Sequence, residues 1–121
     1  MKTLLVVDDD PDMLHVLKAV LEVYHFAVET ASNGREALER ISAMVPDGIF
    51  LDLRMPIMNG WEALDIIRRE HPDVTIIVIT ASETGDVVQH TRARGAHGCL
   101  VKPLDPQKLR AILRASFGWT P

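Results

Sequence analysis

This chain has a single cysteine, Cys99, and only two tryptophans, one tyrosine and three phenylalanines in 121 residues. One thiol excludes an internal disulfide and fits a reducing compartment. No apolar run approaches the roughly 20 residues of a membrane span. Only a short apolar stretch follows Lys2 before acids begin, so the start is not a secretory signal. No membrane contact and a cytoplasmic location are therefore expected. The seven glycines are scattered, and neither a Walker loop nor a dinucleotide fingerprint occurs. A net charge of −4, with no interleaving of basic and aromatic residues, argues against nucleic acid. His15, His25, His71, His90 and His97 share no metal-ligand spacing, which leaves them surface or capping roles.

What is present alternates in period. Apolar β-formers at Thr3–Val7, Ala27–Ala31, Gly48–Leu51, Thr75–Thr80 and Gly98–Val101 read as strands. Between them lie helical patterns. The first carries Leu14, Leu17, Val20, Leu21 and Tyr24 after Asp10-Pro11, an N-cap followed by Pro at the first helical position. The second, capped by Ser32 or Asn33, carries Ala37, Leu38 and Ile41 and stops at Pro46. The third follows a loop with Pro56 and Asn59-Gly60, carries Leu64 and Ile67, and ends at His71-Pro72. The fourth, Glu83–Arg94, is the least apolar, anchored by Val87, Val88 and Ala93 and ended by Gly95. The last begins at Asp105-Pro106 and carries Leu109, Ile112, Leu113 and Phe117. Five βα units of this length predict one domain over residues 1–121, a three-layer α/β sandwich on a parallel sheet. The sheet order expected is 2-1-3-4-5, because strand two ends in Thr30-Ala31 with nothing chemical and suits an edge.

Ligands of such sheets bind beyond the carboxyl ends of the strands, and the strand ends here carry the chemistry. Strand one runs into Asp8-Asp9-Asp10, strand three into Asp52, strand four ends on Thr80 and strand five is followed by Lys102. Carboxylates crowded together repel by about 4 kcal/mol per pair at 4 Å and an effective dielectric of 20. Lys102 cannot neutralise three of them, so a divalent cation is expected, and hard oxygen donors suit Mg²⁺ or Mn²⁺. Asp52 would then be a nucleophile toward a phosphoryl group, with Lys102 absorbing charge and the Thr80 hydroxyl donating to a phosphoryl oxygen.

Over nearly its whole length the chain resembles a response-regulator receiver domain. Val6-Val7-Asp8-Asp9, Leu51-Asp52-Leu53-Arg54-Met55-Pro56 with Asn59-Gly60, Thr80-Ala81 and Lys102-Pro103 carry the resemblance. It implies a flavodoxin-like (βα)₅ fold that takes phosphoryl from a kinase phosphohistidine onto Asp52. It further implies that Asp9, Asp52 and the Arg54 carbonyl ligate the metal while Asp8 acts through water. Thr80 and Lys102 would read the phosphoryl group, and the Lys102–Pro103 bond would be cis. The switch aromatic of many family members falls at Cys99, a thiol that reads otherwise as a small buried hydrophobe. Arg54 and Ser82 flank the expected path of a hydrolytic water.

The expected partners are a sensor histidine kinase or phosphotransfer domain and an effector or target at the face of the fourth helix, fifth strand and fifth helix. Residues 1–60 hold ten acids and five bases, and residues 61–121 seven acids and eight bases, so that face is the more basic. The expected state is a monomer or a weak, phosphorylation-dependent dimer. Gly118–Pro121 reads either as a free terminus or as the start of a linker. This makes the chain a self-modifying switch, not a turnover enzyme. Competing readings are a Mg²⁺-dependent aspartyl phosphohydrolase, which needs an acid where Arg54 stands, a nucleotide carrier, which Asp8–Asp10 would repel, and a receiver that only docks.

Overall fold

A computed structural model describes residues 1–55, 57–81 and 85–121, with Gly85 and Asp86 described by backbone alone. In chain order the elements are β1 (Thr3–Val7), α1 (Pro11–Val23), β2 (Ala27–Ala31), α2 (Gly34–Ala43), β3 (Gly48–Asp52), α3 (Gly60–Glu70), β4 (Thr75–Thr80), α4 (Gly85–Ala93), β5 (Gly98–Val101) and α5 (Pro106–Phe117). The sheet runs β2-β1-β3-β4-β5, and every neighbouring pair is parallel. This is the flavodoxin-like order expected from the strand endings.

Strand alternation sorts the core into two layers. Leu5, Val7, Ile49, Leu51, Ile76 and Val78 face α2 and α3, where they meet Ala37, Ile41, Ala63, Leu64 and Ile67. Leu4, Val6, Phe50, Ile77 and Ile79 face α1 and α5, where Leu17, Leu21, Leu109, Leu113 and Phe117 close over them. With both faces covered, the central strands need apolar residues at successive positions. The sequence TIIVIT of β4 is buried from its second residue onward.

The capping signals place the helix starts. Asp10 accepts from the Asp12 amide at 2.9 Å and Asp105 from the Gln107 amide at 2.8 Å, each ahead of a proline. Of the two candidate caps for α2 it is Asn33 that accepts from Glu36 N, at 2.8 Å, while Ser32 Oγ donates to the Glu36 carboxylate. Asn59 caps α3 reciprocally, accepting from Glu62 N at 3.0 Å and donating to Glu62 Oε1 at 2.9 Å. Helix α5 ends on Gly118 at φ 64°, the left-handed cap that glycine adopts without strain. The fourth helix spans Gly85–Ala93, and Arg94 belongs to the turn after it, its amide bonded to both His90 O and Thr91 O. The expected start at Glu83 lies outside the described residues, as do Pro56 and Ser82.

Candidate functional site

All five strands are parallel, so their carboxyl ends share one edge of the sheet. Between β1 and β3 the order reverses direction, which opens a crevice there. Asp8 follows β1 and is fully buried, Asp52 closes β3 and Thr80 closes β4, both nearly so, while Asp9 faces solvent. Carboxylate oxygens of Asp8, Asp9 and Asp52 come within 4.8 Å of one another. Lys102, just past β5, brings Nζ to 3.2 Å from Asp8 Oδ2 and 3.3 Å from Asp52 Oδ2.

Backbone amides fix the inner carboxylates. The Asp10 amide donates to Asp8 Oδ1 at 3.0 Å and the Arg54 amide to Asp52 Oδ1 at 3.1 Å. Each interaction anchors one oxygen and leaves the other directed at the crevice. Asp8 Oδ2 is buried and accepts no hydrogen bond; its 3.2 Å contact with Lys102 is an ion pair without hydrogen-bond direction.

Burial pushes the Asp8 carboxyl above its ordinary range, and the Asp52 charge adds to the push, while the Asp10 amide and Lys102 oppose it. For Lys102, burial acts to lower its affinity for a proton, but Asp52 and Asp8 outweigh it and the ammonium is held above its usual value. Among the described residues one ammonium thus pairs with two buried carboxylates while Asp9 adds a third nearby, and the buried Asp8 Oδ2 makes no directed hydrogen bond. An all-oxygen donor set with surplus negative charge fits a small hard divalent cation.

Two contacts that carry no signal in the sequence shape this edge. Asn59-Gly60 reads as a turn, yet Gly60 is where α3 meets the strand end that carries Asp52. A Cβ there would lie 2.3 Å from Asp52 O and 2.4 Å from Leu53 Cα, and Gly60 N donates to Leu53 O at 3.0 Å. The Arg54 amide was also unforeseen, since backbone groups carry no sequence signal. The thiol of Cys99 is half-buried against the α2–α3 side of the core. Burial raises its pKa, with Arg92 opposing. The Lys102–Pro103 bond is cis.

Residues 4–114 match the model of the response regulator receiver domain. This chain belongs to that family. As a receiver it is 35% identical over 117 residues to the transcriptional regulatory protein ZraR of Klebsiella oxytoca, covering 97% of this chain and 26% of ZraR. To the nitrogen assimilation regulatory protein NtrX of Azorhizobium caulinodans it is 35% identical over 111 residues, 90% of this chain and 24% of NtrX. The chain thus spans about a quarter of the length of these curated relatives. Among solved structures the chemotaxis response regulator CheY4 of Vibrio cholerae superposes with a TM-score of 0.89 at 32% identity, covering 96% of this receiver and 98% of that chain. Phosphorylation on an aspartate is the general function of such receivers in two-component signalling.

Proposed function

We propose that residues 1–121 form one receiver unit that accepts a phosphoryl group on Asp52 from the phosphohistidine of a sensor histidine kinase or phosphotransfer domain. The observation that carries this reading is the convergence of Asp8, Asp9 and Asp52 with Lys102 Nζ 3.3 Å from Asp52. Asp8, Asp9, Asp52 and the Arg54 carbonyl would hold Mg²⁺ (or Mn²⁺), Asp8 through water. Bound there, the ion would neutralise charge on the transferring phosphoryl group.

The chain's own groups do the rest. A carboxylate oxygen of Asp52 attacks phosphorus in line, the phosphorus–nitrogen bond to the donor imidazole breaks, and an acyl phosphate remains. The amide of Arg54 orients Asp52 for that attack, which favours one approach direction. Lys102, already paired with the carboxylate, moves its charge to the new phosphoryl oxygens. Thr80, buried at the end of β4, donates its hydroxyl to another. Attack of water on the same phosphorus breaks the acyl phosphorus–oxygen bond, releases inorganic phosphate and restores the Asp52 carboxylate, so the domain catalyses its own dephosphorylation, with Arg54 beside the water's path. The family relation supports output through α4, β5 and α5 to an effector or target, in the cytoplasm, as a monomer or a weak phosphorylation-dependent dimer. Arg54 stands two residues past Asp52, where a phosphohydrolase would place its acid, so a switch is favoured over a turnover enzyme.

Incubation with acetyl phosphate and Mg²⁺ should add the mass of one phosphoryl group, and Asp52→Asn should abolish the gain. An equal gain in the variant would overturn the assignment.

A further inference from the structure

Helix α4 is held to the body of the molecule unlike the other four. Each of the others buries at least two apolar side chains: Leu17 and Leu21 in α1, Ala37 and Ile41 in α2, Ala63, Leu64 and Ile67 in α3, and Leu109, Leu113 and Phe117 in α5. Among the described residues of α4 only Thr91 is fully buried, and its hydroxyl donates to Val88 O inside the same helix. Val87 and Val88 are half-buried.

A second attachment compensates. Trp61, at the start of α3, meets the His90 ring in a T-shaped arrangement, with centroids 5.5 Å apart and planes at 64°. The Arg94 guanidinium lies over the same indole, 4.9 Å from its centroid, and donates to Asp65 Oδ2 at 3.0 Å. His90 and Arg94 are one helical turn apart and so share a face. The indole is thus held between the His90 imidazole and a cation that is itself pinned to α3.

Trp61 is also the neighbour of Gly60, whose backbone packs directly on Asp52 O and Leu53 Cα. Helix α4 is therefore connected to the site by two routes, in sequence after Thr80 and by contact with Trp61, the chain neighbour of Gly60. Position 99 holds a thiol and offers no ring to turn.

We propose that Trp61 is the positioning residue that latches α4 in the resting state, and that phosphorylation of Asp52 reaches α4 as release of His90 and Arg94 from the indole. This rests on the phosphoacceptor reading above. The latch works because aromatic-edge and cation–π contacts are few and local, so a displacement of Thr80 toward a phosphoryl group competes with them on equal terms.

The test uses the full chain carrying Trp119→Phe, which leaves Trp61 as the sole tryptophan, with acetyl phosphate and MgCl₂ as probe. Mass, tryptophan emission and amide exchange are followed together. Emission should change in step with the mass gain, and exchange across residues 85–93 should rise with it. Adding Trp61→Leu should leave the mass gain unchanged. It should also raise α4 exchange about tenfold before any phosphodonor is added, with no further rise afterwards. Trp61→Phe, which keeps a ring, should restore most of the protection and the response. Unchanged protection in α5 marks the variants as folded.

Emission that stays constant through full phosphorylation, or α4 exchange in Trp61→Leu equal to the parent's, would overturn the proposal. Absence of the mass gain in the parent would overturn the reading of Asp52 and the coupling with it. That outcome is separate from the resting-state comparison, which needs no phosphodonor.

Discussion

Ile57 holds φ at 70° and is 72% exposed, in the loop between Asp52 and α3. A β-branched residue in the left-handed region crowds Cβ against its own backbone, and here little packing offsets the strain. Ile57→Gly should stabilise the fold by about 0.5–1 kcal/mol, the relief of strain exceeding the extra chain entropy of glycine. Urea denaturation checks it, and a lower midpoint would show that Ile57 makes contacts worth more than its strain. Nothing in the sequence foretold this, since Ile57 sits in an apolar Met-Pro-Ile-Met stretch that looks unexceptional. The acids Asp8, Asp9 and Asp52 were legible because each stands where an apolar strand stops. Trp61 was not: its partners His90 and Arg94 lie on α4 and in the turn after it, a relation that only the fold creates. Trp119 likewise packs at the rim of the core across elements, its ring centroid lying 4.8 Å from that of Tyr24.

Between elements, backbone approach and shared hydrogen bonds decide how parts move together. Gly60→Ala would place a Cβ 2.3 Å from Asp52 O, and backbone atoms cannot step aside as a flexible side chain does. The variant should lose about 2–3 kcal/mol and slow phosphorylation of Asp52, because α3 must back away from the strand end that carries it. Thermal melts and the rate of mass gain read the two effects, and a silent variant would mean the α3 junction is plastic. At the opposite edge His97 joins β4 to β5, its amide donating to Ile76 O at 2.8 Å and its Nδ1 accepting from Ile76 N at 3.2 Å. Burial, with the Arg68 guanidinium adding to it, lowers the His97 pKa below 6.5. The unfolded chain therefore binds this proton more readily, so stability should fall as pH drops through about 6.5. His97→Asn keeps an acceptor that does not titrate. Between about pH 7.5 and 5.5 its urea midpoint should fall less than the parent's, and equal losses would remove His97 as the cause. Element positions were the most legible level. Proline after an acid, Asn-Gly and runs of β-branched residues encode caps and strands locally, whereas the Gly60 junction is a backbone approach that no motif marks and the His97 junction pairs residues 21 apart in sequence.

For the whole molecule, the two apolar layers on either face of the sheet provide the stability that one charged edge diminishes. Asp8 is fully buried beside Asp52 with a single ammonium between them, and Asp9 adds a third negative charge within 4.8 Å. Without a cation the fold bears that repulsion, as sites arranged for function commonly do. Asp9→Asn should then raise the melting temperature in EDTA, because one repelling charge is gone. Magnesium should reverse the ranking. A ligand that binds only the folded state at ten times its Kd stabilises it by about 1.4 kcal/mol, roughly 5 °C for a domain of this size. The parent should gain that shift and Asp9→Asn should not, so the two melting curves exchange order between EDTA and Mg²⁺. If they keep one order in both buffers, the acidic edge is a solvated rim and not a cation site. The exchange isolates the electrostatics, since neither buffer nor variant alters the apolar layers on which α1, α2, α3 and α5 rest.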